Sequence, residues 1–332
     1  MNETAPEALL PAGVTSWVLG SGRAGHQSHC LGVARALGLD PVIRPVRTSG
    51  LFSALSPFGP IDPRDDPARP ASPLAPPFPD IAIASGRKTV PYLRRLRAAA
   101  RGQTFTVFME DPVVGASLAD LIWAPEHDRL RGDNVIVTPT TPHPLRPALL
   151  AAARARPDPR IAALPAPRAA VIVGGPSAHY SFSTADDARL VEAVRALIAQ
   201  GFSVMATPSR RTGKSTRAAV RGAVAEAGLL GFYWDGDGDN PYAHMIANAD
   251  AIIVTGDSVN MVSEALATDA PAYVIEPTGG HPKMRRYLDG LIAGGNLRRW
   301  QGRIEDWRHA PLDATSVIAA EIARRYKLFR GL

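Results

Sequence analysis

The sequence predicts an α/β protein of two parallel-sheet domains facing a cleft, and three observations carry that prediction. Short runs rich in Val and Ile recur with helical stretches between them, the pattern of βαβ units. Those runs are continuously apolar rather than alternating, as strands buried on both faces require. At 332 residues the chain exceeds one comfortable hydrophobic core and suits two domains of ordinary size.

The first series of strands falls near residues 15–20, 41–46, 81–84, 104–109, 121–124 and 135–138. Between its second and third members, residues 48–79 are dense in Pro, which removes N–H groups and fixes φ, so a long surface loop is expected. Residues 143–167 carry proline at both ends of an Ala/Arg-rich helix and read as a domain connection. The boundary is placed near residue 160, giving a first domain over 1–160 and a second over 161–332. The second series has strands near 170–173, 202–207, 231–234, 251–255 and 272–276, with helices near 184–200, 215–227, 241–248 and 259–268. A last helix over 313–328 sets Val317, Ile318, Ile322 and Tyr326 on one face and is expected to pack back on the first domain. Both domains are therefore expected to be Rossmann-like.

Composition narrows the function classes. No apolar run approaches the roughly 18–20 residues of a membrane-spanning helix, and the first residues carry Glu3 and Glu7 without a basic segment, so a cytoplasmic location is expected. The single cysteine, Cys30, excludes a disulfide framework and a multi-cysteine metal site. With 37 Lys and Arg against 31 Asp and Glu, the net charge of +6 suits anionic partners. Zinc-finger spacing, an RNA-binding aromatic signature and a long basic tail are all missing, so no specific nucleic acid partner is expected. Phosphate-bearing small molecules or an anionic membrane surface fit the charge better.

The candidate site residues lie on loops after strands. Gly20-Ser21-Gly22-Arg23-Ala24-Gly25 follows a strand and opens a helix, where glycines allow close approach and helix N–H groups favour an anion; a plain structural turn explains the same spacing. His26 and His29 follow on the first helical turn, either as ligand contacts or as hydrogen-bonded structural residues. A dinucleotide site would place an acid about 20 residues on. Arg44 and Arg47 stand there instead, which argues against NAD and keeps NADP open. Gly174-Gly175-Pro176-Ser177 ends the first strand of the second series and forms a second glycine-turned loop.

Pro208-Ser209-Arg210-Arg211-Thr212-Gly213-Lys214-Ser215 ends like a P-loop, but Pro208 replaces the first glycine and cannot supply its torsions or its N–H. What survives is a cationic strand end, in which Arg210 and Arg211 offer planar donor forks to phosphate. Asp235-Gly236-Asp237-Gly238-Asp239 imitates a calcium loop but has Asn240 and Ile246 where glycine and glutamate belong, so no metal site is expected. After the strand ending at Thr255, Asp257 and Ser258 can cap the next helix or touch a ligand, and Glu264 could accept both hydroxyls of a ribose. The segment 87–101, with Arg94, Arg95 and Arg97 around Tyr92, Leu93 and Leu96, has the composition of an interfacial basic helix and would attach to anionic lipid at the inner membrane face; burial of the leucines in the domain is the alternative.

Six segments together resemble the bacterial branch of the mitochondrial fission (elongated-mitochondria) family: 22–26, 125–128, 174–177, 209–212, Asn240-Pro241-Tyr242 and 254–264. The resemblance covers nearly the whole chain. It departs at His29, where the family has glutamine, and at the proline-rich 48–79 insertion. It implies a GT-B-like fold, and similarity to GT-B lipid-sugar transferases implies a nucleotide-diphosphate sugar as substrate, with no cofactor. On that analogy Glu264 holds the ribose, Gly174, Gly175, Ser177, Ser209, Arg210, Arg211 and Ser258 surround the nucleotide diphosphate, and Gly22, Arg23 and Gly25 form the acceptor side. Transfer would need no metal: Arg210, Arg211 and helix N-termini neutralise the leaving diphosphate, and His26 or Asp257 assists the acceptor hydroxyl. Two rivals stay open. One is a non-catalytic adaptor that binds a protein partner, as plant members recruit a dynamin-like GTPase. The other is an NADP-dependent or epimerase-like enzyme.

Overall fold

The computed structural model describes residues 9–20, 22, 24–46 and 50–332, with the backbone alone for 24–26. The chain divides into two compact units, 1–144 with 314–332, and 145–313.

The first unit begins with β1 (Ser16–Gly20), α1 (Ala24–Ala36), β2 (Val42–Pro45), α2 (Gly50–Leu55), β3 (Ile81–Ala84) and α3 (Val90–Ala100). It continues through β4 (Phe105–Met109), β5 (Leu121–Pro125) and β6 (Val135–Thr138). These strands form one parallel sheet in the order β2-β1-β3-β4-β5-β6. The Val/Ile runs of β1, β3, β4 and β5 are wholly buried, because helices cover both faces.

The proline-rich stretch differs from the expected surface loop. It holds α2, and its Ile61 and Leu74 are buried against Tyr92, Leu93 and Leu96 of α3, so the stretch roofs that face of the sheet. The arginines of α3 are held inside the same unit. Arg94 donates to the carbonyls of Pro57 and Phe58 at 3.3 and 3.4 Å, Arg95 pairs with Asp66 at 2.8 Å, and Arg97 pairs with Asp120 at 2.8 Å. This corrects the interfacial-helix reading, since the apolar face that would enter a bilayer is part of the core. No helix among the described residues is long and apolar enough to cross a membrane.

The second unit starts earlier than the residue-160 boundary, at α4 (Pro147–Ala155) and α5 (Pro159–Ala162). Leu150 and Ala153 of α4 join its core, and Arg154 Nε donates to the Ala247 carbonyl at 2.8 Å. Next come β7 (Arg168–Val173), α6 (Thr184–Ala199), β8 (Ser203–Pro208), α7 (Lys214–Glu226), β9 (Gly231–Tyr233) and α8 (Tyr242–Ala247). They are followed by β10 (Ala251–Thr255), α9 (Val259–Ala265), β11 (Ala272–Ile275), α10 (Pro282–Ala293) and β12 (Arg298–Arg299). Ser183 and Asp186 form a reciprocal capping box that starts α6. The parallel sheet runs β12-β11-β10-β7-β8-β9. The register of its centre is fixed by Ala170 opposite both Ile252 and Met205. The chain moves outward from β7 through β8 and β9, then returns to the other side of β7 with β10. That reversal creates a topological switch point at the carboxyl ends of β7 and β10, the usual ligand crevice of open α/β sheets.

The last helix, α11 (Ala314–Arg330), belongs to the first unit. Ile318, Ile322 and Tyr326 pack with Val33 and Ala34 of α1, and Thr315 Oγ1 donates to the His143 carbonyl at 2.8 Å.

Candidate functional site

The carboxyl ends of β7, β8 and β10 bring most of the sequence-predicted nucleotide residues together within the second unit. The Gly174-Gly175 turn leaves β7 and lies against the loop after β10. Gly174 N–H donates to Thr255 Oγ1 at 2.7 Å, and Gly175 N–H donates to Asp257 Oδ2 at 3.1 Å. Thr255 Oγ1 donates in turn to Asp257 Oδ1 at 2.7 Å. A Cβ on Gly174 would collide with the Asp257 carboxylate, and one on Gly175 with the backbone of Arg211. Internal packing therefore already requires both glycines.

Arg211 closes the same knot. Its guanidinium donates to Asp257 Oδ2 at 3.1 Å and to the carbonyls of Gly175 and Pro176 at 3.0 and 3.2 Å. The Asp257 side chain is fully buried and Arg211 half-exposed. Two expectations are corrected by this arrangement. The N–H groups of Gly174 and Gly175 and the two terminal nitrogens of the Arg211 guanidinium already have partners inside the chain, so a diphosphate would meet them only in exchange for those partners. Asp257, expected to assist an acceptor hydroxyl, is enclosed by these donors and presents no oxygen to solvent.

The loop after β8 is built around Arg217 of α7, which donates to the Ser209, Thr212 and Asp235 carbonyls at 2.6, 2.9 and 3.2 Å. Ser209 Oγ accepts the Arg211 N–H at 3.2 Å. Among the described residues, no hydrogen bond or ion pair holds the exposed guanidinium of Arg210 or the exposed ammonium of Lys214. Ser177 and Ser258 serve turns and caps: Ser177 Oγ accepts the His179 N–H at 3.2 Å, and Ser258 Oγ accepts the Met261 N–H at 3.5 Å at the start of α9.

Beside Arg210 opens a cavity of about 490 Å³, whose lining includes Ser209, Arg210, Trp234, Asn240, Tyr242 and Glu264. Glu264 is partly buried, and Tyr242 Oη donates to its Oε2 at 2.8 Å. Burial pushes the Glu264 carboxyl up to about 7, against the opposing Tyr242 hydrogen bond. Burial and the Glu264 charge push the Tyr242 hydroxyl well above the usual phenol range. Trp234 is fixed at the rim by its Nε1–H, which donates to the Asp237 carbonyl at 2.7 Å. A cavity of similar volume lies at the β11–β12 edge, but its cations are already engaged, Arg189 with Asp186 and Arg299 with Glu276 and Asp289.

Sequence reasoning missed the roles of Tyr242, Trp234 and Arg217. The Asn240-Pro241-Tyr242 segment was a signal for the first, since proline starts α8 and Asn240 Oδ1 accepts the Tyr242 N–H at 3.0 Å.

In the first unit, Gly22 is exposed just after β1, and Gly25 lies in the first turn of α1. Arg23 and the side chain of His26 lie outside the described residues. Arg44, which a 2′-phosphate would need, instead stacks over the Trp17 ring at 4.2 Å. The Cys30 thiol is buried, and its pKa is raised by that burial and by the nearby Glu110 charge, so it is a packing residue.

Three comparisons place the chain among known proteins. A family model described as mitochondrial fission ELM1 matches residues 24–326, and the chain belongs to that family. A mitochondrial fission protein of Arabidopsis thaliana is 26% identical over 272 residues, covering 74% of this chain and 64% of that protein. An uncharacterized protein of Rickettsia prowazekii is 28% identical over 169 residues, covering 48% of this chain and 47% of its own length. The chain thus spans less than two thirds of the length of these relatives. Among solved structures, UDP-GlcNAc 2-epimerase from Methanocaldococcus jannaschii superposes with a TM-score of 0.56 at 10% identity, covering 95% of this chain and 99% of that one. A structure of the same enzyme in complex with UDP-GlcNAc and UDP superposes at 0.51, with 12% identity and the same coverage. The fold is GT-B-like.

Proposed function

We propose that the second unit binds a nucleotide-diphosphate sugar and that the chain is a glycosyltransferase-like protein. The carrying observation is the Glu264 pocket. It joins a carboxylate suited to ribose hydroxyls, an aromatic ring at the rim suited to a base, and the unpaired guanidinium of Arg210 suited to phosphate. The UDP-GlcNAc and UDP complex of the epimerase supports the ligand class, as a property of a protein with the same fold.

In this reading the ribose hydroxyls donate to Glu264, the base lies against Trp234, and the diphosphate runs past Ser209 to Arg210. For sugar transfer, an acceptor oxygen attacks the anomeric carbon, the bond from that carbon to the diphosphate oxygen breaks, and the diphosphate leaves with the electron pair. The acceptor oxygen releases its proton to solvent as it attacks, and the positive charge of Arg210 stabilises the leaving group.

Calorimetry with UDP tests the binding step. Saturable binding by the wild type and its loss in Glu264→Ala are expected, and a folded wild type that binds neither UDP nor UDP-GlcNAc at millimolar concentration removes the proposal. The epimerase likeness favours one second reading, in which the same pocket serves inversion at the sugar. Nuclear magnetic resonance of UDP-GlcNAc incubated with the protein separates them: a new 2-epimer supports that reading, and UDP released only with an acceptor supports transfer.

A further inference from the structure

The knot around Asp257 uses donors that elsewhere receive phosphate. A glycine-turn N–H, a threonine hydroxyl and a guanidinium converge on one fully buried carboxylate. The glycine at 174 leaves room for that carboxylate and for nothing larger, since a Cβ would occupy its place. Backbone N–H groups in a turn combined with an arginine fork form an anion concavity, whichever anion fills it. A buried charge persists only when such donors compensate its lost hydration. The concavity sits at the switch point, and Arg210, next in sequence to Arg211, is left free beside it.

We propose that the Gly174–Gly175 turn is a phosphate cradle held shut by the chain's own Asp257, so that Asp257 determines which anions the site accepts. With the carboxylate seated, an incoming phosphate meets a negative charge and finds the cradle donors occupied, and it is received by Arg210. With the carboxylate removed, the Gly175 N–H, the Thr255 hydroxyl and the Arg211 guanidinium lose their shared acceptor, and the local charge rises by one unit. Asp257 is then a specificity-determining residue rather than a proton acceptor. The inference deepens the nucleotide reading, yet its test uses inorganic pyrophosphate, so the two can fail separately.

Pyrophosphate binding is measured by calorimetry on the wild type, Asp257→Ala and Asp257→Ser, with thermal melts to establish folding. Binding at least about tenfold tighter than wild type is expected in either folded variant, the value of one recovered charge-assisted contact. Adding Arg211→Ala to Asp257→Ala should abolish the gain. Equal affinity in a folded variant, or a gain that survives loss of Arg211, overturns the cradle. Should both variants unfold, the wild type still decides: pyrophosphate must leave the Gly175 amide resonance unmoved, and a saturable shift there overturns the proposal. UDP titrations run in parallel separate the outcomes. UDP binding without a pyrophosphate gain rejects the cradle alone, and a pyrophosphate gain without UDP binding rejects the nucleotide pocket alone.

Discussion

Two arginine-rich segments, α3 and the loop from β8 into α7, look alike in sequence and differ in what their guanidinium groups meet. On α3, Arg94, Arg95 and Arg97 each reach a carbonyl or carboxylate supplied by a neighbouring loop of their own unit. In the β8–α7 loop, Arg211 and Arg217 are likewise held internally, but Arg210 has no partner among the described residues and borders a cavity. Local charge density is similar in the two places. Ligand-binding capacity follows from the geometry of nearby acceptors, because a guanidinium that already has desolvated partners gains little by exchanging them for phosphate.

Within the β8–α7 loop, the largest expected effect is on stability. Arg211→Ala leaves the fully buried Asp257 charge without its cation. A wholly buried pair broken in this way costs roughly 3–5 kcal/mol, and the half-exposed arginine lowers the expectation to about 2–3 kcal/mol. Chemical denaturation checks it, and the Asp257→Ala, Arg211→Ala double variant should recover part of the loss. Arg210→Ala should leave stability unchanged and weaken UDP binding by about 2 kcal/mol, one charge-assisted contact. If calorimetry shows the larger affinity loss in Arg211→Ala after correction for folding, the contrast between the two neighbours is wrong.

A smaller effect is a pH dependence. The Glu264 carboxyl stands near 7 in the folded chain against an ordinary 4.5, so its contribution to stability is fully present below about 4.5 and lost as pH rises through about 7. Relative to Glu264→Gln, the wild type should lose stability over that window. Ribose hydroxyls favour the charged carboxylate, so UDP affinity should rise about tenfold from pH 6 to pH 8 and stay flat in Glu264→Gln. An unchanged wild-type affinity across this range would detach Glu264 from the ribose.

The smallest effects belong to α3. Arg95→Ala should cost less than about 1 kcal/mol, as a half-exposed ion pair. Replacing Arg94, Arg95 and Arg97 with glutamate should leave sedimentation with anionic vesicles unchanged, with both proteins in the supernatant. Salt-sensitive vesicle binding by the wild type alone would return α3 to the ligand-binding class.

The fold was legible because its signals are local. Continuous Val/Ile runs mark strands buried on both faces, and β1, β3, β5 and β10 fall where those runs do. The spacing of Met284, Tyr287, Leu288 and Leu291 marks α10 just as clearly, although the expected elements did not include it. The two-residue β12 and short α2 have no such periodicity, since each depends on a neighbour for its place. The early start of the second unit was hidden for the same reason: α4 is Ala/Arg-rich either way, and only its contacts with α8 decide which core it joins.

At the candidate site, the sequence by itself determined the residue types and their positions on strand ends: glycines after β7, arginines after β8, Asp257 and Glu264 after β10. Tertiary structure alone decided their partners. Asp257 and Gly175 stand 82 positions apart, and Tyr242 and Glu264 stand 22 apart. A hydrogen bond across such separations depends on register and strand order, which no local pattern encodes. Distinguishing an arginine open to a ligand from one closed by a carboxylate requires knowing which buried acceptor lies within about 3 Å of it, and folding creates that proximity.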